Sequence, residues 1–143
     1  MNSCSCAACR SACSRDPGRL VPADVKRIAA YLGLGAKEFL LRHLVRIPAR
    51  GRDRHIRFLA PAKLRAGRFL AAPGSVAPPY YSEEAGRCVF LSGEGACLVH
   101  PVKPFECAAY MGCRNTFLGK PYKEKDVEAF FISRWRKFQD LVR

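Results

Sequence analysis

The chain has 143 residues, of which 49% are hydrophobic and 26% are charged, and its formal net charge is +13. This length predicts a single domain, residues 1–143, with one modest core, and the composition excludes a largely disordered chain. The sequence lacks an apolar run long enough for a transmembrane helix and a secretory signal pattern, so we expect a cytoplasmic protein that makes no membrane contact.

A cluster of cysteines opens the chain, with the spacing C-x-C-x2-C-x3-C. Its members are Cys4, Cys6, Cys9 and Cys13. Such short spacings let the backbone turn and aim several sulfurs at one ion, as in zinc sites and iron–sulfur loops. The residues between these cysteines are mostly Ser and Ala, which cannot anchor a terminal segment by packing. We therefore expect metal coordination to dock this segment onto the rest of the domain.

A helical hairpin is predicted next. The first helix is indicated by an apolar stripe at i, i+3, i+4 and i+7, formed by Val25, Ile28, Ala29 and Leu32. Pro22 and Asp24 suit its first turn, and Gly33 suits its end. A second helix is predicted from about Ala36 to Pro48, with an apolar side formed by Phe39, Leu40, Leu44 and Val45.

The connecting region 46–87 is basic. Positions 46–68 hold eight Lys or Arg and one acid, Asp53, and the stretches "RHIRFLA" and "GRFLAA" within and beyond them are typical of short strands. The sequence "RCVFLSGEGACLV" then predicts a β-hairpin around "SGEG". If Leu91 faces Ala96, Phe90 faces Cys97, and Cys88 becomes a diagonal neighbour of Cys97. One metal centre then reaches both sulfurs.

The last elements are helical. Residues 104–110 predict one or two helical turns, and a long amphipathic helix is predicted from about Glu124. We expect its apolar side to pack in the core, through Val127, Phe130, Phe131, Trp135, Phe138 and Leu141. These elements together predict a small, mostly helical α+β domain that metal stabilises.

The second cysteine group completes the predicted ligand set. It consists of Cys88, Cys97, Cys107 and Cys113, spaced C-x8-C-x9-C-x5-C. Eight thiolates suit zinc or iron, including a 4Fe–4S cluster, as two four-sulfur centres, one polynuclear centre, or one cluster beside free redox thiols. His100, in the spacing Cys97-x2-His100, is a further candidate ligand, although eight sulfurs already satisfy two tetrahedral ions. We expect His43 and His55 to be ordinary surface or core residues.

Two alternatives for the cysteines stay open at this point. A secreted domain stapled by four disulfides is the first, although the cytoplasm keeps thiols reduced. The second is that cysteines serve as small buried hydrophobic residues, which explains scattered thiols better than two confined groups.

The chain resembles the YkgJ-type, or CxxCxxCC, family of zinc- or iron-chelating domain proteins over roughly residues 6–113. The motif "CAACRSAC" is similar to the opening cysteine motif of the family, and "GRLVPADVKRIAAYLGLGAKEFL" is similar to the stretch that follows it. The later segment "GRCVFLSGEGACLVHPVKPFEC" is similar to the two strands and the "R-P-x-x-C-R" pattern of the family. The resemblance implies chelation of zinc or iron by these cysteines.

The chain departs from the family pattern at four positions. Ala12 and Cys13 stand where the family has a Cys-Cys pair, and Cys4 is the obvious substitute for the missing thiolate. Lys103 and Ala108 stand where Arg is usual, and His100 stands where Tyr is common. Related motifs occur in flagellin lysine N-methylases, which are much longer, so the resemblance implies the metal module without the rest of such an enzyme.

Three classes of function follow. The first is a cytoplasmic metal-binding protein whose thiolates chelate zinc or iron, with an unassigned protein partner and role. The second is a metal-dependent enzyme in redox chemistry or protein side-chain methylation. The third is a zinc-stabilised nucleic-acid binder, suggested by the basic run, although such a run more often forms a solvated face.

Overall fold

The computed structural model describes residues 12–78 and 81–143, and it confirms the α+β class. In these residues the α-helices are α1 Pro22–Leu32, α2 Ala36–His43, α3 Phe105–Ala109 and α4 Glu124–Trp135. The strands are β1 Leu44–Pro48, β2 Arg57–Pro61, β3 Lys63–Arg65, β4 Arg68–Phe69, β5 Arg87–Cys88, β6 Tyr110–Met111, β7 Thr116–Phe117 and β8 Lys120–Pro121. No helix of this described part is both long and apolar enough to cross a membrane.

Helix α1 forms as its local sequence predicts. Val25, Ile28 and Ala29 are buried, and the Asp24 carboxylate accepts the Val21 backbone N–H at the N-terminus. Gly33 ends the helix with φ at 73°, a left-handed conformation that glycine adopts without a steric penalty. The stop signal at Gly33 is confirmed.

Helix α2 is shorter than predicted. It ends at His43, and Leu44 and Val45 belong to strand β1 instead of the helix. Strand β1 pairs antiparallel with β2, with Leu44 opposite Pro61 and Val45 opposite Ala60. Both side chains are fully buried there, so pairing with a strand further along the chain outweighs the local helical periodicity.

Three small antiparallel sheets build the β part of the described chain. Strands β1 and β2 form a hairpin, β4-β3-β5 form a second sheet, and β6-β7-β8 form a third. The second sheet places Lys63 of β3 opposite Cys88 of β5. This sheet therefore carries one predicted metal ligand.

The core holds the segment before α1 firmly in place. Leu20 is fully buried; its N–H donates to the Leu59 carbonyl at 2.8 Å, and its carbonyl accepts the Trp135 indole N–H at 2.8 Å. Earlier in this segment, the Arg15 carbonyl accepts the Gly86 N–H at 2.7 Å. Residues 15–20 are thus anchored by packing and hydrogen bonds.

The C-terminal helix is also shorter than predicted. Helix α4 ends at Trp135, and the chain continues as a 3-10 turn, Gln139–Val142. Phe138 and Leu141 are 48% and 43% exposed, so their predicted place in the core is wrong. The Gln139 side chain accepts the Arg57 N–H and donates to the Trp135 carbonyl, each at 2.9 Å, and these bonds accompany the change in direction.

The predicted hairpin at residues 87–99 has a different register. The structure has a single bridge, with Leu91 opposite Cys97 instead of Ala96. Gly95 adopts a φ of 82°, and its N–H donates to Ser92, which builds a tight loop that takes up one additional residue. Cys88 leaves this hairpin and pairs with β3, so the diagonal arrangement of Cys88 and Cys97 is also wrong.

Candidate metal centre

The predicted ligands fall into three groups by position. Cys4, Cys6 and Cys9 lie outside the described residues. Cys13 lies in a 3-10 turn, Cys88 on β5, Cys97 at the bridge and Cys107 in α3. Cys113 is exposed in the turn between β6 and β7.

One cavity brings four of these cysteines together. Its volume is about 750 Å³, and Cys13, Cys88, Cys97 and Cys107 all line its wall. All four have free thiols, and Cys13 lies 75 or more residues before the other three in the sequence. The cavity therefore brings Cys13 of the N-terminal cluster together with three cysteines of the second cysteine group. Cys113 is not among the lining residues.

Burial keeps these thiols protonated in the absence of a cation. Burial, together with repulsion from the nearby sulfurs of Cys13 and Cys97, raises the pKa of Cys88 to about 12. Burial also raises the pKa of Cys107 well above its ordinary value, with added repulsion from Cys88 and Cys13. Repulsion between neighbouring sulfurs thus adds to burial in favouring the neutral thiols, whereas a nearby cation would favour the ionised forms.

Backbone amides point at three of the sulfurs and favour their ionised forms. The N–H groups of Phe90 and Leu91 offset part of the rise in the pKa of Cys88 that burial causes. Val99 does the same for Cys97, and Gly18 for Cys107. Hydrogen bonds of this kind tune thiolate-bound metal centres.

Gly18 touches Cys107 so closely that no side chain fits between them. A Cβ atom at position 18 would lie 2.5 Å from the Cys107 sulfur and 2.8 Å from its backbone nitrogen. Both distances are shorter than any real contact of a Cβ atom. Glycine is therefore required at position 18 if α3 is to approach the N-terminal segment.

We expect Gly18→Ala to destabilise the fold by about 1–3 kcal/mol, because the new methyl group displaces Cys107 and the first turn of α3. Urea unfolding of the two proteins measures this difference. Gly93→Ala is the matched control, since a Cβ atom there meets nothing within 4 Å. Equal stability of both variants and the parent would show that Gly18 is not a constrained position.

A buried ion pair holds helix α3 in place. The Arg19 guanidinium binds both carboxylate oxygens of Glu106, at 2.8 and 2.9 Å, and the Arg19 N–H adds a third bond of 2.8 Å. Both side chains are 11% exposed. Burial alone lowers the pKa of Arg19, but the Glu106 carboxylate outweighs this effect and raises it. Glu106 immediately precedes Cys107, so the pair positions that sulfur.

Asp24 ties the start of α1 to the start of α3. Its carboxylate accepts the Phe105 N–H at 2.7 Å as well as the Val21 N–H at 3.0 Å. The Arg27 guanidinium donates to the same carboxylate and to the Lys103 carbonyl. The position of Asp24 in the sequence indicates only a helical first turn, and it gives no sign of this long-range contact.

Lys63 is a fully buried cation in the strand that faces Cys88. Its ammonium lies 3.2 Å from an Asp16 oxygen and 4.4 Å from the centre of the Tyr81 ring. A buried ammonium is stable only with such partners. Lys63 therefore places positive charge beside the sheet that carries a candidate ligand, a role the sequence did not reveal.

The three histidines differ in their position relative to the cavity. His100 lines the cavity, where its Nδ1 lies 3.5 Å from the Lys103 ammonium, and its ligation stays an open prediction. His43 stacks on Phe90 with 5.4 Å between ring centres, and His55 is exposed. Across residues 12–78 and 81–143, no three His, Cys, Asp or Glu side chains are arranged to hold an ion.

Comparison of the chain with protein-family models, with characterised proteins and with solved structures finds no match. The resemblance to the YkgJ-type family thus stays a prediction that rests on the quoted motifs.

Proposed function

We propose that this chain is a cytoplasmic protein that binds zinc or iron through cysteine thiolates, as a member of the YkgJ-type family. The observation that carries this proposal is the convergence of Cys13, Cys88, Cys97 and Cys107 on one cavity. We assign these four as the first ligands to test, and the motif adds Cys4, Cys6, Cys9 and Cys113 as further candidates.

Ordinary core packing does not account for the cavity. Protein interiors are close-packed, and cysteines that act as small hydrophobic residues fill space instead of bordering a void. Here the four thiols border an open space of about 750 Å³, and backbone N–H groups point at three of them. Thiols that border one open space can each reach a bound ion, whose charge would offset the effect of burial on their ionisation.

The donor set suits both metals, and the two forms would do different things. Four thiolates are a common environment of structural zinc and of iron–sulfur clusters. A 4Fe–4S cluster would supply one-electron chemistry, whereas a single zinc ion would cross-link the fold.

The proposed centre would join three parts of the fold. Cys13 precedes the anchored segment 15–20, Cys88 and Cys97 flank the loop at 92–96, and Cys107 sits on α3. Metal bonds between these parts add cross-links that the small sheets do not provide. Metal binding is then folding free energy, on the order of 10 kcal/mol in zinc peptides.

Anaerobic purification with metal and sulfide analysis tests the proposal. We expect at least one equivalent of tightly bound metal per chain. A brown sample with iron, sulfide and visible absorption indicates a cluster, and a colourless sample with zinc indicates a tetrahedral site. A folded, metal-free protein that takes up neither zinc nor iron on reconstitution would contradict the proposal.

A further inference from the structure

Two basic segments distant in sequence form one surface, which we call the basic face and define as residues 50–57 and 134–138. They contain seven Lys or Arg and one acid, Asp53. Gln139 joins the two segments, because its side chain accepts the Arg57 N–H and donates to the Arg57 carbonyl, each at 2.9 Å. Arg136 adds an ion pair to Asp53 at 3.5 Å.

Several cations of the basic face are left without a counter-charge. Arg50 and Arg136 have acidic partners, at 4.0 and 3.5 Å. Arg52, Arg54 and Lys137 are exposed, and the described part of the chain offers them no ion-pair partner. These three side chains are therefore available to an anion.

The basic face also presents an aromatic ring that the apolar stripe of α4 predicts to be buried. Phe138 directly follows Lys137 and is 48% exposed. A single exposed hydrophobic residue is normal on a protein surface. An exposed aromatic ring beside unpaired cations is a more specific arrangement, because unstacked bases bind aromatic rings while phosphates bind Lys and Arg.

We propose that the basic face binds single-stranded nucleic acid, independently of the metal centre. Arg52, Arg54 and Lys137 contact backbone phosphates, and Phe138 stacks on a base. A base-paired duplex keeps its bases stacked and offers Phe138 no free base face. An acidic protein surface would pair with the cations but would not need the ring.

Fluorescence anisotropy of the full metal-loaded chain with a labelled single-stranded oligonucleotide of mixed sequence tests the proposal. With three phosphate contacts, the affinity should fall about 20-fold between about 50 and 200 mM salt. The duplex of the same sequence should bind more weakly. Absence of binding at low salt, or equal affinity for the duplex, would overturn the proposal.

The aromatic ring has a matched control. Phe138→Ala should weaken binding about tenfold, because each stacked base contributes substantially to affinity, whereas Phe138→Trp should retain it. Phe69→Ala removes another ring, 43% exposed on β4 and outside the basic face, and should leave the affinity unchanged. Equal effects of the two alanine variants would overturn the assignment of Phe138.

The charges have a matched control as well. Arg52→Ala with Arg54→Ala should weaken binding more than tenfold and lower the salt dependence. Arg65→Ala with Arg68→Ala removes the same charge from the hairpin of β3 and β4 and should have a smaller effect. Poly-glutamate that binds as tightly as the oligonucleotide, without a loss in Phe138→Ala, would indicate an acidic protein partner and overturn the proposal.

Discussion

Cys107→Ser is expected to lower the affinity for metal more than about 100-fold, because loss of a partner that only orients a ligand already costs about 10- to 100-fold. Cys107 lines the cavity and receives the Gly18 amide, so serine at this position removes a thiolate with little change in shape. Metal content after gel filtration against a chelator measures the effect, and unfolding in urea measures the accompanying loss of stability.

Val99→Ala is the matched control for this substitution. Val99 is fully buried and also lines the cavity, but it carries no metal ligand. Its truncation should lower the free energy of unfolding by about 1–3 kcal/mol and leave the metal content at the parent value. If Cys107→Ser retains the parent metal content, or if both variants lose metal equally, Cys107 is not a ligand.

Glu106→Gln should destabilise the fold by about 3 kcal/mol or more. Gln keeps the shape of the side chain but removes the closest and most buried counter-charge of the Arg19 guanidinium, which is 11% exposed and keeps only the half-exposed Glu124 carboxylate at 3.2 Å. Removal of one partner of a buried ion pair typically costs about 3–5 kcal/mol. Urea unfolding of metal-free protein measures this loss separately from any effect on metal affinity.

Glu38→Gln provides the comparison for Glu106→Gln. Glu38 pairs with Arg42 at 3.1 Å on the surface of α2, where both side chains are about half exposed. Surface pairs of this kind contribute less than about 1 kcal/mol. If the two variants lose similar amounts of unfolding free energy, the Arg19–Glu106 pair stabilises α3 no more than a surface ion pair does.

The sequence predicts those parts of the fold that depend on interactions between residues close together in the chain. Helix α1 follows from its apolar stripe and from the glycine at position 33, because both act within a few residues. Leu44 and Val45 show the opposite case, since their strand exists only through pairing with β2. The one-residue shift at Cys97 depends on the left-handed conformation of Gly95, which the motif "SGEG" does not reveal by itself.

The sequence predicts which type of side chain lines the candidate site, but it does not predict the residues that surround these cysteines. Cysteine spacing marks Cys88, Cys97 and Cys107 as a group, and the cavity contains all three. Neither spacing nor charge indicates the contact between Arg19 and Glu106, which joins residues 87 positions apart. The buried Lys63 likewise falls within an ordinary basic run, where a solvated side chain is the usual expectation.

X-ray absorption at the metal edge of anaerobically prepared protein tests the central claim most directly, because it reports the atoms bound to the metal. We predict a first shell made of sulfur at about 2.3 Å, with a nearby metal neighbour if the centre is a cluster. A first shell made only of nitrogen and oxygen would contradict cysteine ligation.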